Sequence, residues 1–319
     1  MAEPVVVSYS ELDTYRQCPL KHHLAYKLRY TKPTQSGGAL SRGTLWHKVM
    51  ENHYKVLTDP IQRAAAHSGD LDNLWQASLP LLYDDHGHQT DDQQLIEWMY
   101  RGYLENYGGD MGWYPLAVER KFEVPLPGPT GRPSRYRLKM RIDLVVLDQT
   151  TGGIWVVDHK SGADLPNSMA LEIDDQFGLY QWGLRQLRRS GQLGGDLDPG
   201  LNMPDYPLMG TIHNGARTRR NQGDYPGGKG KPQGMDQRFR RTYLNRSDVE
   251  LDSLAYDAYC AAYNAHPPRS KTRPLYSSPD PRTCSWKCDF KEAHIAARTG
   301  RNIEEAAQEF GFTQDFTRH

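Results

Sequence analysis

The chain has 319 residues, 37% of them hydrophobic and 24% charged, enough for a sizeable core and typical of a globular protein. Lys+Arg and Asp+Glu both total 39, so overall charge gives no pull toward nucleic acid. No apolar run is long enough to span a bilayer, and Met1-Ala2-Glu3-Pro4 lacks the basic start and apolar stretch of a secretion signal, so the expected location is the cytoplasm.

In chain order, Ser8-Tyr9-Ser10-Glu11 reads as a capping box that starts a helix to about Gln17, which Pro19 stops. A second helix is predicted over about Thr44 to Leu57 and short surface helices within Asp59 to Asp92. A further helix runs from Asp91 to Tyr107, where Gly108-Gly109 ends it. The period then changes. Val118, Arg120, Phe122 and Val124, and next Tyr136, Leu138, Met140 and Ile142, alternate with their neighbours as strands do, joined by the Gly- and Pro-rich turn Pro125 to Pro133. A third strand covers Ile154 to His159. A helix from about Ala170 to Arg188 is expected to put Ile173, Phe177, Tyr180, Leu184 and Leu187 on one face. Pro207 to Asn214 reads as another strand, and Gly223 to Gly234 as a mobile loop. Ser247-Asp248-Val249-Glu250 is a second capping box, opening a helix to about Ala265. An extended stretch from Pro267 to Pro281 and a polar helix near Asn302 to Phe310 complete the chain. The fold expected is α/β: a central mixed β-sheet flanked by helices, within one domain over 1–319.

Charge is local where it is not global. Between Asn214 and Arg246 lie Arg217, Arg219, Arg220, Lys229, Lys231, Arg238, Arg240, Arg241 and Arg246 against Asp224 and Asp236. Such a segment is either an electrostatic footprint for nucleic acid or an ordinary solvated loop.

The stretch Asp143 to Lys160 carries the chemistry. With the turn centred between Thr150 and Thr151, antiparallel pairing sets Asp143 opposite Asp158 on one face, and Lys160, two residues on, shares that face. Facing carboxylates repel unless a cation lies between them, and their oxygens suit Mg²⁺ or Mn²⁺. The alternative is a surface hairpin with exposed acids. Ile154 to Val157 argues otherwise, because an unbroken apolar run marks a strand buried on both faces, and charges at its end are costly without a role. His47 and Glu51 fall one helical turn apart, as do Gln176 and Tyr180. A hydrogen-bonded core histidine and a core-packing Tyr180 are the plain readings of these pairs.

Together these residues resemble the RecB-type branch of the PD-(D/E)XK nuclease superfamily. The order matches: Gly43 to His47, then Asp143, then Asp158-His159-Lys160, then Gln176-Phe177-Gly178-Leu179-Tyr180. Ser10 to Pro19 is similar to the N-terminal cysteine motif of iron–sulfur members, including the AddB nuclease and the CRISPR-associated RecB-like exonucleases, with phage-encoded relatives nearest in type. The resemblance implies a restriction-endonuclease-like core in which His47, Asp143, Asp158 and the His159 carbonyl ligate Mg²⁺ or Mn²⁺. Asp143, Asp158 and Lys160 would be catalytic, Lys160 orienting or deprotonating water. Gln176 and Tyr180 would touch DNA or brace the site. It also implies that one early and three late cysteines hold a 4Fe-4S cluster, clipping the terminal helical segments together. Here Cys18, Cys284 and Cys288 fit, and His294 stands where the last cysteine is expected. The same set could hold zinc instead, and Cys260 is a less favoured fourth ligand.

The function expected is a divalent-metal-dependent DNA exonuclease of recombination, repair or phage DNA processing, in a bacterial or phage-infected cell. Its substrate would be single-stranded or free-ended DNA, gripped through Arg217, Arg219, Arg220, Lys229 and Lys231, with Tyr225 and Tyr243 available to stack on bases. Recombination or repair proteins are candidate partners. The rivals are an endonuclease of the same fold, a non-catalytic DNA-binding or assembly subunit, and a structural metal-binding module.

Overall fold

The computed structural model describes residues 3–32, 39–192, 206–268 and 275–316. In chain order, β1 (Val5–Ser8) leads into α1 (Tyr9–Gln17), α2 (Pro19–His22), a π turn at His23–Lys27 and β2 (Tyr30–Thr31). Next come α3 (Ala39–Thr58), α4 (Pro60–His67), α5 (Asp72–Leu82) and α6 (Asp91–Tyr107). Three long strands follow: β3 (Trp113–Pro127), β4 (Pro133–Asp148) and β5 (Gly153–Gly162). Then come α7 (Ser168–Glu172), α8 (Asp175–Arg189), β6 (Leu208–Arg217), α9 (Met235–Arg238) and β7 (Phe239–Leu244). The chain continues through α10 (Asp248–Ala265), α11 (Pro281–Cys284), α12 (Lys291–Arg298), α13 (Ile303–Glu309) and β8 (Thr313–Gln314).

The chain forms two compact units. The larger holds residues 36–124 and 140–254, and the smaller 1–35, 125–139 and 255–319. In the larger, β4 and β5 pair antiparallel, β5 and β6 parallel, and β6 and β7 antiparallel, while β3 also pairs with β4. This is the expected mixed sheet flanked by helices. Its core joins Trp46, Val49, Met50 and Tyr54 of α3 and Ile96, Met99 and Tyr100 of α6 to Leu144, Val146, Trp155 and Val157 of the sheet. In the smaller unit, β1 runs parallel to the Tyr136–Lys139 stretch of β4. Tyr136 meets Tyr259 and Tyr263 of α10 edge-on, and its hydroxyl donates to the His266 carbonyl at 2.8 Å. A separate apolar cluster there gathers Leu24, Tyr30, Phe290, Ala293, Ala306, Ala307 and Phe312. Among the described residues no helix is long and apolar enough to cross a membrane.

Local signals set most boundaries. Thr90 and Gln93 form a reciprocal capping box for α6, and Ser247 and Glu250 form one for α10. At α1 only half a box forms. Ser8 accepts from the Glu11 backbone, whereas the Glu11 carboxylate turns instead to two histidines.

The predicted 170–188 helix is corrected. Asp174 caps the backbone N–H of Gln176 and starts α8 afresh, so Ile173 ends α7 and lies 75% exposed instead of joining the apolar face. Part of the expected extended stretch Pro267 to Pro281, residues 269–274, lies outside the described residues. The basic segment is a β6–β7 antiparallel pair with a long connection rather than one solvated loop, and Arg238 is buried, with Arg241 largely shielded beside it.

Candidate active site

The acidic pair is set by strand register. Leu144 pairs with Val157 and Val145 with Val156, and the same register carried on by one residue places Asp143 opposite Asp158. Helix α3 adds His47, whose Nδ1 lies 3.2 Å from Asp143 Oδ2. That oxygen also accepts the His159 backbone N–H at 2.8 Å, tying β5 to β4 at the level of the site. Asp158 is 2% exposed. Lys160 Nζ donates to its Oδ1 at 3.1 Å and lies 3.0 Å from Oδ2, which has no hydrogen-bond partner of its own.

The electrostatics follow from burial and crowding. Burial, with the Asp143 charge adding to it, pushes the Asp158 carboxyl up to about 6 despite Lys160. Burial works the same way on Asp143, but hydrogen bonding and charge from His47, aided by His159, hold its carboxyl below the usual range. Burial pulls His47 and Lys160 down, yet the acids outweigh it and raise both. Lys160 is therefore an ammonium at neutral pH.

Glu119 belongs to this site, and sequence reasoning missed it. Ligand atoms of His47, Glu119 and Asp143 lie within 4.8 Å of one another. The reason lies in the backbone. Glu119 has φ +52°, which breaks the alternation of β3 and invalidates the assignment of faces by counting. The only sequence signal was an acid flanked by apolar and basic residues in a strand. Burial and the Asp143 charge raise its carboxyl, although Arg141 pairs with it.

Behind the site lies a buried polar network, also absent from the sequence reading. Asp110, 4% exposed, accepts from Tyr54 Oη at 2.7 Å and pairs with Arg241 at 2.5 Å. Tyr54 and Tyr103 hydroxyls meet at 2.8 Å, and Asn214 Nδ2 donates to Tyr103 Oη and to His159 Nδ1, both at 2.9 Å. The Tyr54 ring stacks on His159. Burial lowers His159 to about 3, so its imidazole is neutral and can accept from Asn214. The network thus holds the middle residue of Asp158-His159-Lys160 from the side away from Asp143.

Gln176 and Tyr180 meet each other on α8, the amide donating to the phenol oxygen at 2.8 Å. Burial, then the charge of Asp158, raises the Tyr180 hydroxyl, placing it within the field of the acids. Beside Lys160 opens a cavity of about 290 Å³, whose wall includes His213, the register partner of Asp158. Burial brings His213 down to about 4. A second cavity of about 450 Å³ is lined by Arg217, Arg219, Arg220 and Arg240. Lys229 and Lys231 stand exposed outside it.

A profile of the PD-(D/E)XK nuclease superfamily matches residues 6–292. The chain belongs to this nuclease superfamily. No curated protein matches it significantly. Among solved structures, a protein from Eubacterium rectale, named provisionally as an exonuclease, is 12% identical with a TM-score of 0.37, over 81% of this chain and 77% of that one. The protein SSO0001 is 13% identical with a TM-score of 0.30, over 79% of this chain and 95% of that one.

Members of this superfamily characteristically use divalent metals, and the donor set fits one. His47, Glu119 and Asp143 converge, and Asp158 supplies a buried carboxylate oxygen with no hydrogen bond. Oxygen-rich sets with one imidazole suit hard or borderline divalent ions.

The smaller unit holds two further sets. Glu11 Oε1 receives His22 Nε2 at 3.0 Å and His266 Nε2 at 2.6 Å. Lys27 Nζ lies 2.5 Å from His266 Nδ1. An ammonium only donates, so Nδ1 accepts and the proton on Nε2 faces Glu11. These partners outweigh burial and bring Glu11 down to about 2. Elsewhere Cys18, Cys284, Cys288 and His294 line one cavity of about 650 Å³. Cys260 lies apart from it, on α10. Burial raises the Cys288 thiol, and Cys284 and Cys18 are near enough to add to that effect.

Proposed function

We propose that this nuclease is a divalent-metal-dependent DNA exonuclease of the RecB-like type, acting in recombination, repair or phage DNA processing. The observation that carries the catalytic reading is the convergence of Asp143, Asp158 and Lys160 on one face with His47 against Asp143. His47, Glu119, Asp143 and Asp158 would hold Mg²⁺ or Mn²⁺, with the His159 carbonyl as a further ligand. When bound, such an ion supplies Lewis-acid activation of water and neutralises phosphate charge.

The remaining steps belong to the chain. Lys160, held beside Asp158, orients or deprotonates the attacking water and offsets charge growing on the phosphate. Water attack breaks the P–O3′ bond, and the departing 3′-oxygen takes a proton. The products are a 5′-phosphate and a 3′-hydroxyl. Gln176 and Tyr180 brace the strand beside the acids, and Arg217, Arg219 and Arg220, with Lys229 and Lys231 further out, hold phosphates in a salt-dependent grip.

For the cysteine cavity the reading favoured is a 4Fe-4S cluster over zinc. Zinc–thiolate bonds of about 2.3 Å bring tetrahedral ligands within roughly 4 Å of each other. Cys18, Cys284, Cys288 and His294 all face one cavity of about 650 Å³, room for a group larger than a single ion. Iron content and visible absorption of protein grown with iron distinguish the two.

The deciding assay uses end-labelled linear and circular DNA with Mg²⁺ or Mn²⁺. Wild type should degrade linear DNA only, and Asp158→Ala and Lys160→Ala should each lose about 10² to 10³-fold in rate. Equal activity in both variants would refute the site.

A further inference from the structure

The cavity beside Lys160 and the arginine cavity share two wall residues, Asp164 and Leu165. Strand register measures the step between them. Lys160 pairs with Gly215 and Gly162 with Arg217, so Arg217 lies two residues further along the same strands, about 7 Å on. That is the scale of one nucleotide step.

Asp164 is the informative side chain. Its Oδ1 lies 2.9 Å from Arg217 Nη2 and its Oδ2 3.2 Å from Arg219 Nη2, each oxygen taking one guanidinium. The two non-bridging oxygens of a phosphodiester would take the same pair of donors. Asp164 and Arg219 side chains are 60% and 59% exposed. Exposed pairs of this kind are weak and yield readily to a competing anion. Arg240, in the same cavity, bonds to the Pro166 carbonyl. In the smaller cavity, at the level of Asp158, buried His213 presents an Nδ1 with no hydrogen-bond partner.

We propose that the arginine cavity is a second phosphate site for a single polynucleotide strand whose scissile phosphate lies at Lys160, and that Asp164 occupies it as a resident carboxylate until the strand displaces it. The neighbouring nucleoside lies in the smaller cavity, which shares the Asp164–Leu165 wall with the arginine cavity and has His213 at its Asp158 end. This rests on the nuclease reading and adds the register of the strand and a built-in competitor for it. Asp164 then serves selectivity, because only a ligand with correctly spaced phosphates recovers what the displaced carboxylate gave up.

The test is fluorescence anisotropy of a short labelled oligothymidylate with the full chain in EDTA, which separates binding from cleavage. Asp164→Asn should bind about 5-fold tighter, the scale of two exposed ion pairs released. Arg217→Gln should weaken binding and reduce the slope of log K against log salt by about 0.7, the single-strand value for one phosphate. Arg217→Lys should keep that slope, which excludes misfolding as the cause. His213→Gln should weaken binding with the slope unchanged, as a neutral contact would. Unchanged or weaker binding by Asp164→Asn, or an unchanged slope for Arg217→Gln, overturns the proposal. A slope change seen with duplex DNA alone overturns the single-strand assignment. Cleavage by wild type with metal is read separately, so these outcomes can fail while the nuclease reading stands.

Discussion

Asp143 Oδ2 accepts the His159 backbone N–H and meets His47, so one atom joins a helix and two strands. Glu119 lies with His47 and Asp143, where burial and the Asp143 charge raise its carboxyl although Arg141 pairs with it. Removing the Glu119 charge while keeping the shape tests whether it serves the metal. Glu119→Gln should raise the Mn²⁺ concentration for half-maximal cleavage by about 10 to 100-fold, with most of the rate recovered at saturation. A metal titration of cleavage rate checks this, and an unchanged midpoint would remove Glu119 from the ligand set. At this scale the sequence was legible wherever a regular strand or helix set the spacing, as for Asp143, Asp158 and Lys160. It was illegible at Glu119, because a left-handed backbone turn re-aims the side chain, and at Asp110 and Arg241, which are 131 residues apart.

The hairpin of β4 and β5 is the element on which the site depends. Its register was readable because the apolar run Ile154 to Val157 can be buried in few ways, and a slip by one residue would turn Asp158 away. Its other neighbour, β6, needs a device of its own. The β5–β6 register shifts between Ile154 and Trp155, which pair with Leu208 and Gly210. At Gly210 an added Cβ would sit 2.1 Å from the Leu244 carbonyl oxygen of β7. Gly210→Ala should therefore cost roughly 1 to 3 kcal/mol, since rigid backbone rather than a flexible side chain must move. Urea denaturation measures it, and a loss below about 0.5 kcal/mol would show that the strands adjust freely. Helix α8 teaches the opposite lesson. Apolar spacing alone suggested one helix through Ile173, and the short-range cap at Asp174 decided the break.

At the scale of the whole chain, zero net charge conceals two buried carboxylates held down to about 2, one in each unit. Asp110 is brought to about 2 from 3.8, since Arg241 and His53 outweigh burial, and Glu11 to about 2 from 4.5 by its two histidines. Both are depressed, so their contribution is fully present above the unfolded values, near pH 4 to 5, and is lost as pH falls toward 2. Each is worth roughly 2 to 3 kcal/mol over that window. Urea midpoints should fall steeply from pH 5 to 2. Asp110→Asn should be less stable at pH 7 by about 3 to 5 kcal/mol, because Arg241 is left without its counter-charge, and should show a shallower acid dependence. A parallel acid slope in the variant would exclude Asp110 as the titrating group.

The sequence alone determined the mixed α/β class, the strand and helix carrying each catalytic candidate, and the facing of Asp143 and Asp158. These depend on local period and on how an apolar run is buried, both of which act over a few residues. Tertiary structure decided that Glu119 joins His47, that Asp110 and Arg241 support His159, and that two arginines grip Asp164. Each of those contacts joins groups far apart along the chain or follows an irregular backbone, so no local pattern encodes it.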